Sequence, residues 1–191
     1  MNILAIDQAR AGGWCIFDYE KKVPVKYGTF SFPNEEYTYA KVLVEVCDLA
    51  QSLMDENDIS AVFVEDIQMR QNVLSFKRLA QLQGCLVSMF ERNEYLYDFI
   101  PPSKWQGYCG ARGRTAKEVK GKVTELEAGG KKESKMLSIQ FVKERFGIET
   151  DNDNLSDAIC MGYWAAMNVP ITVCGNETCK EKSSPKLSDR R

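Results

Sequence analysis

Apolar residues in the first third of the chain form three short runs, at 2–7, 13–19 and 24–31, rich in β-branched and aromatic residues. Glycines or charged residues separate these runs, which is typical of strands joined by short turns. The pattern therefore predicts three antiparallel strands that follow one another in a meander.

The middle of the chain changes to a helical period. Apolar residues recur at spacings of three and four from Asn34 to Asn57, and again from Val73 to Arg92 with Leu79, Leu82, Leu86, Val87 and Phe90 on one face. Short apolar runs follow each segment, at 61–65 and 95–100. We expect two amphipathic helices, each crossing over to a strand.

The last third predicts further helices around one polar stretch. Pro101-Pro102 ends the fifth strand, and Ser103 can cap a short helix. The glycine-flanked, charged stretch at about 110–131 reads as a mobile basic segment. Two helices follow, at 132–146, ended by Gly147, and at 154–167.

This order of elements predicts an α/β fold with a five-stranded mixed sheet. Three antiparallel strands come first, then two crossover strands, with helices on both faces. With 191 residues, of which 44% are hydrophobic, the chain can bury one substantial core. We expect one domain over residues 1–169 and a poorly ordered tail over residues 170–191.

Composition narrows the cellular setting. No stretch approaches the roughly 20 apolar residues of a membrane span, and the N-terminus lacks the pattern of a signal peptide, so we expect a soluble, cytoplasmic protein. Most of the seven cysteines lie in apolar segments and are expected to be reduced. Cys174 and Cys179 could form half of a zinc site, but an ordinary tail is the stronger interpretation because no partner pair exists.

Charge is unevenly distributed along the chain. The net charge is −2, yet residues 101–145 hold 11 Lys and Arg against 5 Asp and Glu, a local +6. This distribution is typical of an enzyme that acts on a polyanion, although a solvated lysine-rich helical face would give the same count.

Acidic residues stand at the ends of two apolar strands. Asp7 ends the first run, and Glu65 ends the run at 61–65. A third group of acids, 151–157, opens the last helix, and an unpaired buried charge costs several kcal/mol. Three converging carboxylates predict a divalent metal site, and oxygen ligands favour Mg²⁺.

A structural alternative remains for these acids. Asp7 and Asp157 could cap turns or helices, and Glu65 could pair with a lysine. Phosphodiester hydrolysis, in contrast, would use such acids to hold two Mg²⁺ ions, replaceable by Mn²⁺, about 3.5–4 Å apart.

Several motifs together resemble the RuvC-like Holliday junction resolvases of the ribonuclease-H-like superfamily, especially their phage relatives. The resemblance spans roughly residues 2–168. Its carriers are Ile3-Leu-Ala-Ile-Asp7 with Gly13-Trp14, Val62-Phe-Val-Glu65, Leu79-Ala-Gln-Leu-Gln-Gly84, Pro101-Pro-Ser-Lys104, Lys132-Glu-Ser-Lys135 and Asn154-Leu-Ser-Asp157-Ala158.

The resemblance implies a metal-dependent endonuclease that resolves four-way DNA junctions by paired nicks, leaving 5′-phosphate and 3′-hydroxyl ends. It implies that Asp7, Glu65 and Asp157 are metal ligands. A fourth ligand is expected one helical turn before the last of these, where the chain offers Asn154 or Asp153.

The resemblance also indicates residues that contact DNA. Lys104 and Lys132 or Lys135 correspond to lysines near the scissile phosphate. Further contacts to the DNA backbone are expected from Arg70, Arg112, Arg114 and Lys117. Met69, with Ile67 as the alternative, could be the apolar wedge that helps to open the junction.

Two scissile strands predict a homodimer, for which Leu74, Phe76, Leu79 and Leu86 are available unless they belong to the core. A flap or fork nuclease, a transposase-like strand-transfer enzyme and a junction-binding protein with a weakened metal site remain open. An actin-like phosphotransferase would need glycine-rich phosphate loops that the sequence lacks.

Overall fold

The structure, a computed structural model, describes residues 1–68, 72–113 and 131–171, with the side chains of residues 131–133 left out. The described strands are β1 (Asn2–Ile6), β2 (Ala11–Asp18), β3 (Val23–Ser31), β4 (Ile59–Glu65) and β5 (Tyr97–Ile100). The described helices are α1 (Tyr39–Asn57), α2 (Val73–Arg92), α3 (Pro102–Tyr108), α4 (Lys131–Phe146) and α5 (Asp153–Asn168).

The five strands form one mixed sheet in the order β3-β2-β1-β4-β5. β1 to β3 are antiparallel neighbours, whereas β4 pairs in parallel with β1 and β5 pairs in parallel with β4. The helical crossovers α1 and α2 make this parallel arrangement possible. The predicted α/β class and the mixed five-stranded sheet are therefore confirmed.

β1 lies at the centre of the sheet and is buried on both faces. Ile3 and Ala5 pack into a core with α3, α4 and α5, while Leu4 and Ile6 pack into a second core with α1 and α2. Residues that alternate along a strand point to opposite faces, so helices on both sides explain why residues 3–6 of β1 are all apolar. The predicted helical cover on both faces is confirmed.

Several predicted boundaries were wrong by one to five residues. α1 begins at Tyr39 rather than Asn34, because Thr38 caps it and the Pro33 carbonyl accepts hydrogen bonds from the next turn. β2 begins at Ala11 rather than 13, and β1 ends at Ile6, which leaves Asp7 just beyond the strand. The predicted end of the 132–146 helix at Gly147 is confirmed, and its φ of 69° suits glycine.

Parts of other predictions lie outside the described residues. These parts are Cys174 and Cys179, most of the predicted mobile segment at 110–131, and residues 172–191 of the predicted tail. The five described cysteines are free thiols. Within the described ranges, no helix is both long and apolar enough to cross a membrane.

Gly13 on β2 sets how closely α5 approaches the sheet. A Cβ atom at this position would lie 2.2 Å from the Asn154 carbonyl oxygen and 2.9 Å from the Leu155 backbone nitrogen. Real Cβ atoms do not come that close to backbone, so any larger residue would push the start of α5 away from β2. The first turn of α5 carries Asp153 and Asn154, so this contact positions candidate ligands.

Gly13→Ala should therefore destabilise the protein by about 1–3 kcal/mol, the usual cost of overpacking. Urea unfolding measures this effect. Gly84→Ala is the matched control, because nothing lies within 4 Å of its added Cβ and alanine favours a helix by roughly 0.5–1 kcal/mol. Equal stability of Gly13→Ala and the wild type would mean that α5 does not need this close approach.

Candidate active site

Asp7 and Glu65 are brought together by the parallel pairing of β1 and β4. In that register Ile6 lies opposite Val64, so the residue after each one stands at the same edge of the sheet. The Asp7 backbone nitrogen donates a hydrogen bond to the Gly13 carbonyl over 2.9 Å, which fixes the start of the turn into β2. Two strand ends thus present two carboxylates side by side.

α5 brings the remaining candidate ligands to the same edge. Asn152 caps the helix by accepting a hydrogen bond from the Leu155 backbone nitrogen over 3.2 Å. The helix then carries Asp153, Asn154 and Asp157 in its first turns, where residues three and four apart share a face. Buried alanines, cysteine and methionine further along α5 anchor this helix to the core.

All five predicted ligands line one cavity of about 500 Å³. Its lining includes Asp7, Gln8, Glu65, Gln68, Leu79, Gln106, Arg112, Ser134, Lys135, Asp153, Asn154 and Asp157. Among the described residues, no three acidic or cysteine side chains already stand as a closed ligand set. Repulsion between carboxylates opposes such closure, and a divalent cation would reverse that repulsion.

The acids interact electrostatically across the cavity. Burial raises the pKa of Asp7 well above its usual range, and the charges of Glu65, Asp157 and Asp153 raise it further. Burial also raises the pKa of Asp157 to about 7, and Glu65 and Asp153 add to that rise. Lys135 opposes both shifts, but it does not cancel them.

Two buried side-chain oxygens have no hydrogen-bond partner within the described part of the chain: Asp157 Oδ1 and Gln8 Oε1. Both residues line the cavity. A buried acceptor without a partner costs about 1–3 kcal/mol, so a donor or a cation is needed there. Carboxylate and amide oxygens are the ligands that Mg²⁺ prefers, and the residues present therefore fit such an ion.

The two candidates for the fourth ligand have different surroundings. Asp153 forms an ion pair with Lys135, and its charge acts on both Asp7 and Asp157. The Asn154 side-chain amide donates a hydrogen bond of 3.4 Å to the carbonyl of Ala11. Asp153 is thus coupled to the other acids, whereas Asn154 links α5 to the start of β2.

The residues predicted to contact DNA divide into three groups. Arg112 and Lys135 line the cavity. Lys104 does not: its ammonium group lies 5.4 Å from the centroid of the Trp164 ring. The Lys132 side chain is not described, and Met69, Arg70, Arg114 and Lys117 lie outside the described residues.

The predicted dimer residues also differ in burial. Leu86 is 0% exposed and belongs to the core beneath α1 and α2, whereas Leu74 is 58% exposed. Leu79 lines the cavity, and Phe76 is half-buried. Homodimer formation stays a prediction.

The motifs did not identify several polar groups that contact the acids. Trp105 Nε1 donates a hydrogen bond to Glu65 Oε1 over 3.2 Å, and Gln8 Nε2 donates to the Glu65 carbonyl over 2.8 Å. Ser138 of α4 lies near Asp157 and lowers the pKa of its carboxyl group, against the effect of burial. Only Gln8 carried a sequence signal, as a polar residue beside Asp7; the other two need the tertiary fold.

No family model and no curated protein matches the sequence. Solved structures do match it. RuvC of T. thermophilus, in complex with a Holliday junction substrate, is similar to this chain at a TM-score of 0.64 and 9% sequence identity. The match covers 87% of this chain and 93% of the RuvC chain.

One yeast protein and one viral protein have a similar fold. The yeast mitochondrial Holliday junction resolvase Ydc2 matches over 86% of this chain and 77% of its own, at a TM-score of 0.55 and 13% identity. The Fowlpox virus resolvase was solved in complex with its substrate Holliday junction DNA. It matches over 88% of this chain and 99% of its own, at a TM-score of 0.53 and 12% sequence identity. The chain therefore has the ribonuclease-H-like fold of RuvC and other Holliday junction resolvases, as its motifs predicted.

Proposed function

We propose that the protein is a metal-dependent endodeoxyribonuclease that resolves four-way DNA junctions by paired nicks with 5′-phosphate and 3′-hydroxyl ends. One observation carries the proposal: four acids from two strand ends and one helix line a single cavity, and one buried carboxylate oxygen there has no hydrogen-bond partner among the described residues. The likeness of fold to junction resolvases supports the choice of substrate.

Asp7, Glu65 and Asp157 are the proposed ligands of the cation, with Asp153 as the fourth. Bound Mg²⁺ would activate the attacking water, neutralise the phosphate and stabilise the leaving oxygen. Lys135 and Arg112 line the cavity and are placed to bind non-bridging oxygens of the DNA phosphates. The acids alone would repel DNA, so the positive side chains of Lys135 and Arg112 would orient the strand.

Asp7→Asn should abolish cleavage of a synthetic four-way junction in both Mg²⁺ and Mn²⁺, because it replaces a proposed carboxylate ligand of the metal with a neutral amide. A plasmid-borne cruciform separates paired from single nicks: paired nicks give linear DNA, and single nicks give open circles. Ligation of the nicks tests for 5′-phosphate ends.

The control for this assay is Glu35→Gln, which neutralises an exposed acid ahead of α1. It should cut as the wild type does. Equal cutting of linear duplex, flap and four-way substrates would favour a broader nuclease, and tight junction binding without turnover in either metal would favour a binding protein. Full activity of Asp7→Asn would overturn the proposal.

Asp153→Asn should weaken Mn²⁺ binding about 10–100-fold, whereas Asn154→Ala should leave it almost unchanged. The reason is that Asp153 is electrostatically coupled to Asp7 and Asp157, while the Asn154 amide is engaged with Ala11. Calorimetric titration of Mn²⁺ without DNA measures both variants. The reverse order of effects would make Asn154 the fourth ligand.

The carboxylate cluster also predicts a conflict between stability and function. Burial raises the pKa of Asp157 from 3.8 to about 7, so its carboxyl group holds a proton more tightly in the folded than in the unfolded protein. The metal-free fold therefore loses stability as the pH rises between these values, and the loss is complete above them. Asp157→Asn removes this contribution.

In EDTA at pH 8, Asp157→Asn should be about 2–4 kcal/mol more stable than the wild type, with little difference at pH 4. Thermal unfolding at both pH values, with Glu35→Gln as control, measures the effect. Mg²⁺ should stabilise the wild type and not the variant. A variant less stable than the wild type in EDTA at pH 8 would identify Asp157 as a structural group instead.

A further inference from the structure

Trp105 is a buried aromatic residue with one polar atom, and that atom faces an acid of the cavity. Its side chain is 1% exposed, and its indole Nε1 donates a hydrogen bond to Glu65 Oε1 over 3.2 Å. The indole nitrogen can only donate, so this contact requires an acceptor oxygen on Glu65. Trp105 itself lies behind the cavity lining, while its neighbour Gln106 forms part of that lining.

The surroundings of Trp105 fix its position. Pro102 begins α3 directly after β5, and the Trp105 carbonyl accepts a hydrogen bond of 2.9 Å from the Cys109 backbone nitrogen. The Cys109 thiol in turn contacts the Cys160 carbonyl of α5 over 3.7 Å. The indole is therefore packed between the strand that carries Glu65 and the helix that carries Asp157.

We propose that Trp105 is a positioning residue that holds the Glu65 carboxylate in the orientation needed to bind the catalytic cation. The proposal rests on the proposed role of Glu65 as a metal ligand. A buried group that hydrogen-bonds a ligand oxygen restricts the rotation of that ligand and lowers the entropy lost when a metal binds. Trp105 acts through Glu65 and touches neither DNA nor cation.

The indole N–H is a neutral donor, so its hydrogen bond to Glu65 adds no positive charge to the site. Trp105 can therefore orient the carboxylate without itself competing with a cation for it.

Packing and hydrogen bonding by Trp105 can be separated experimentally. Trp105→Phe removes the N–H donor together with part of the ring. Site-specific replacement of Trp105 by 3-benzothienylalanine, in which sulfur takes the place of the N–H group, removes the donor and keeps the shape. Trp164→Phe is the matched control, because Trp164 is a half-buried indole on α5 that lies under Lys104 and hydrogen-bonds no acid in the described part of the chain.

Both Trp105 variants should bind Mn²⁺ about 10-fold more weakly in DNA-free calorimetry and should lose about 10–100-fold in kcat on a four-way junction. KM should change little, because Trp105 does not touch DNA. The benzothienylalanine protein should melt at the wild-type temperature. Trp164→Phe should keep the Mn²⁺ affinity of the wild type.

A double-mutant cycle provides the decisive readout. In a Glu65→Gln background, removing the indole donor should cause no further loss of Mn²⁺ affinity, because the two residues act as one unit. Wild-type Mn²⁺ affinity in the benzothienylalanine protein would overturn the proposal, even if Trp105→Phe unfolds. A wild-type protein that binds no Mn²⁺ and cuts no junction would instead overturn the proposed function.

Discussion

Repulsion among the carboxylates at the end of β1 is the constraint on which the rest of the site depends. Two such charges about 4 Å apart repel by about 4 kcal/mol at an effective dielectric constant near 20. Domains of this size are stable by only about 5–15 kcal/mol, so a cluster of Asp7, Glu65, Asp153 and Asp157 is a serious burden on the fold. Burial raises the pKa of Asp7 and of Asp157 most, and the neighbouring acids raise both further.

Backbone geometry, which is insensitive to charge, holds the acids near one another. The parallel register of β1 and β4 fixes Asp7 beside Glu65, and the close approach of Gly13 to α5 fixes the helix that carries Asp157. The indole of Trp105 hydrogen-bonds Glu65, and Lys135 pairs with Asp153. Both contacts are made by side chains that the tertiary fold brings to the acids.

Strands and acids were predictable from the sequence because both follow from local patterns. Asp7 and Glu65 end apolar runs, and the carboxyl ends of neighbouring parallel strands lie at the same edge of a sheet. Lys104 lies in a motif that implies phosphate binding, and its ammonium group lies over the Trp164 ring; its contact with phosphate stays a prediction. The direction of one side chain on a seven-residue helix depends on tertiary contacts that no spacing encodes.

The hydrogen bond from Trp105 was hidden for a related reason. An aromatic residue in a short helix predicts burial, but its polar atom finds a partner 40 residues away on another element. The start of α1 was predicted five residues too early, because the polar residues from Asn34 to Thr38 are also compatible with the exposed face of a helix. Only the cap at Thr38 and the turn at Pro33 decide the boundary.

The placement of positive charge resolves an apparent contradiction between an acidic cavity and the anionic substrate that we propose. Lys135 pairs with Asp153 at one side of the cavity, and Arg112 is exposed at its rim. The stretch from 101 to 145 carries a local charge of +6 in a chain whose net charge is −2. Long-range attraction of DNA can therefore come from this stretch, while the acids act only at close range, where a cation neutralises them. In the proposed function, basic residues such as Arg112 and Lys135 would attract a phosphate backbone, while the acids would repel it until a metal is bound.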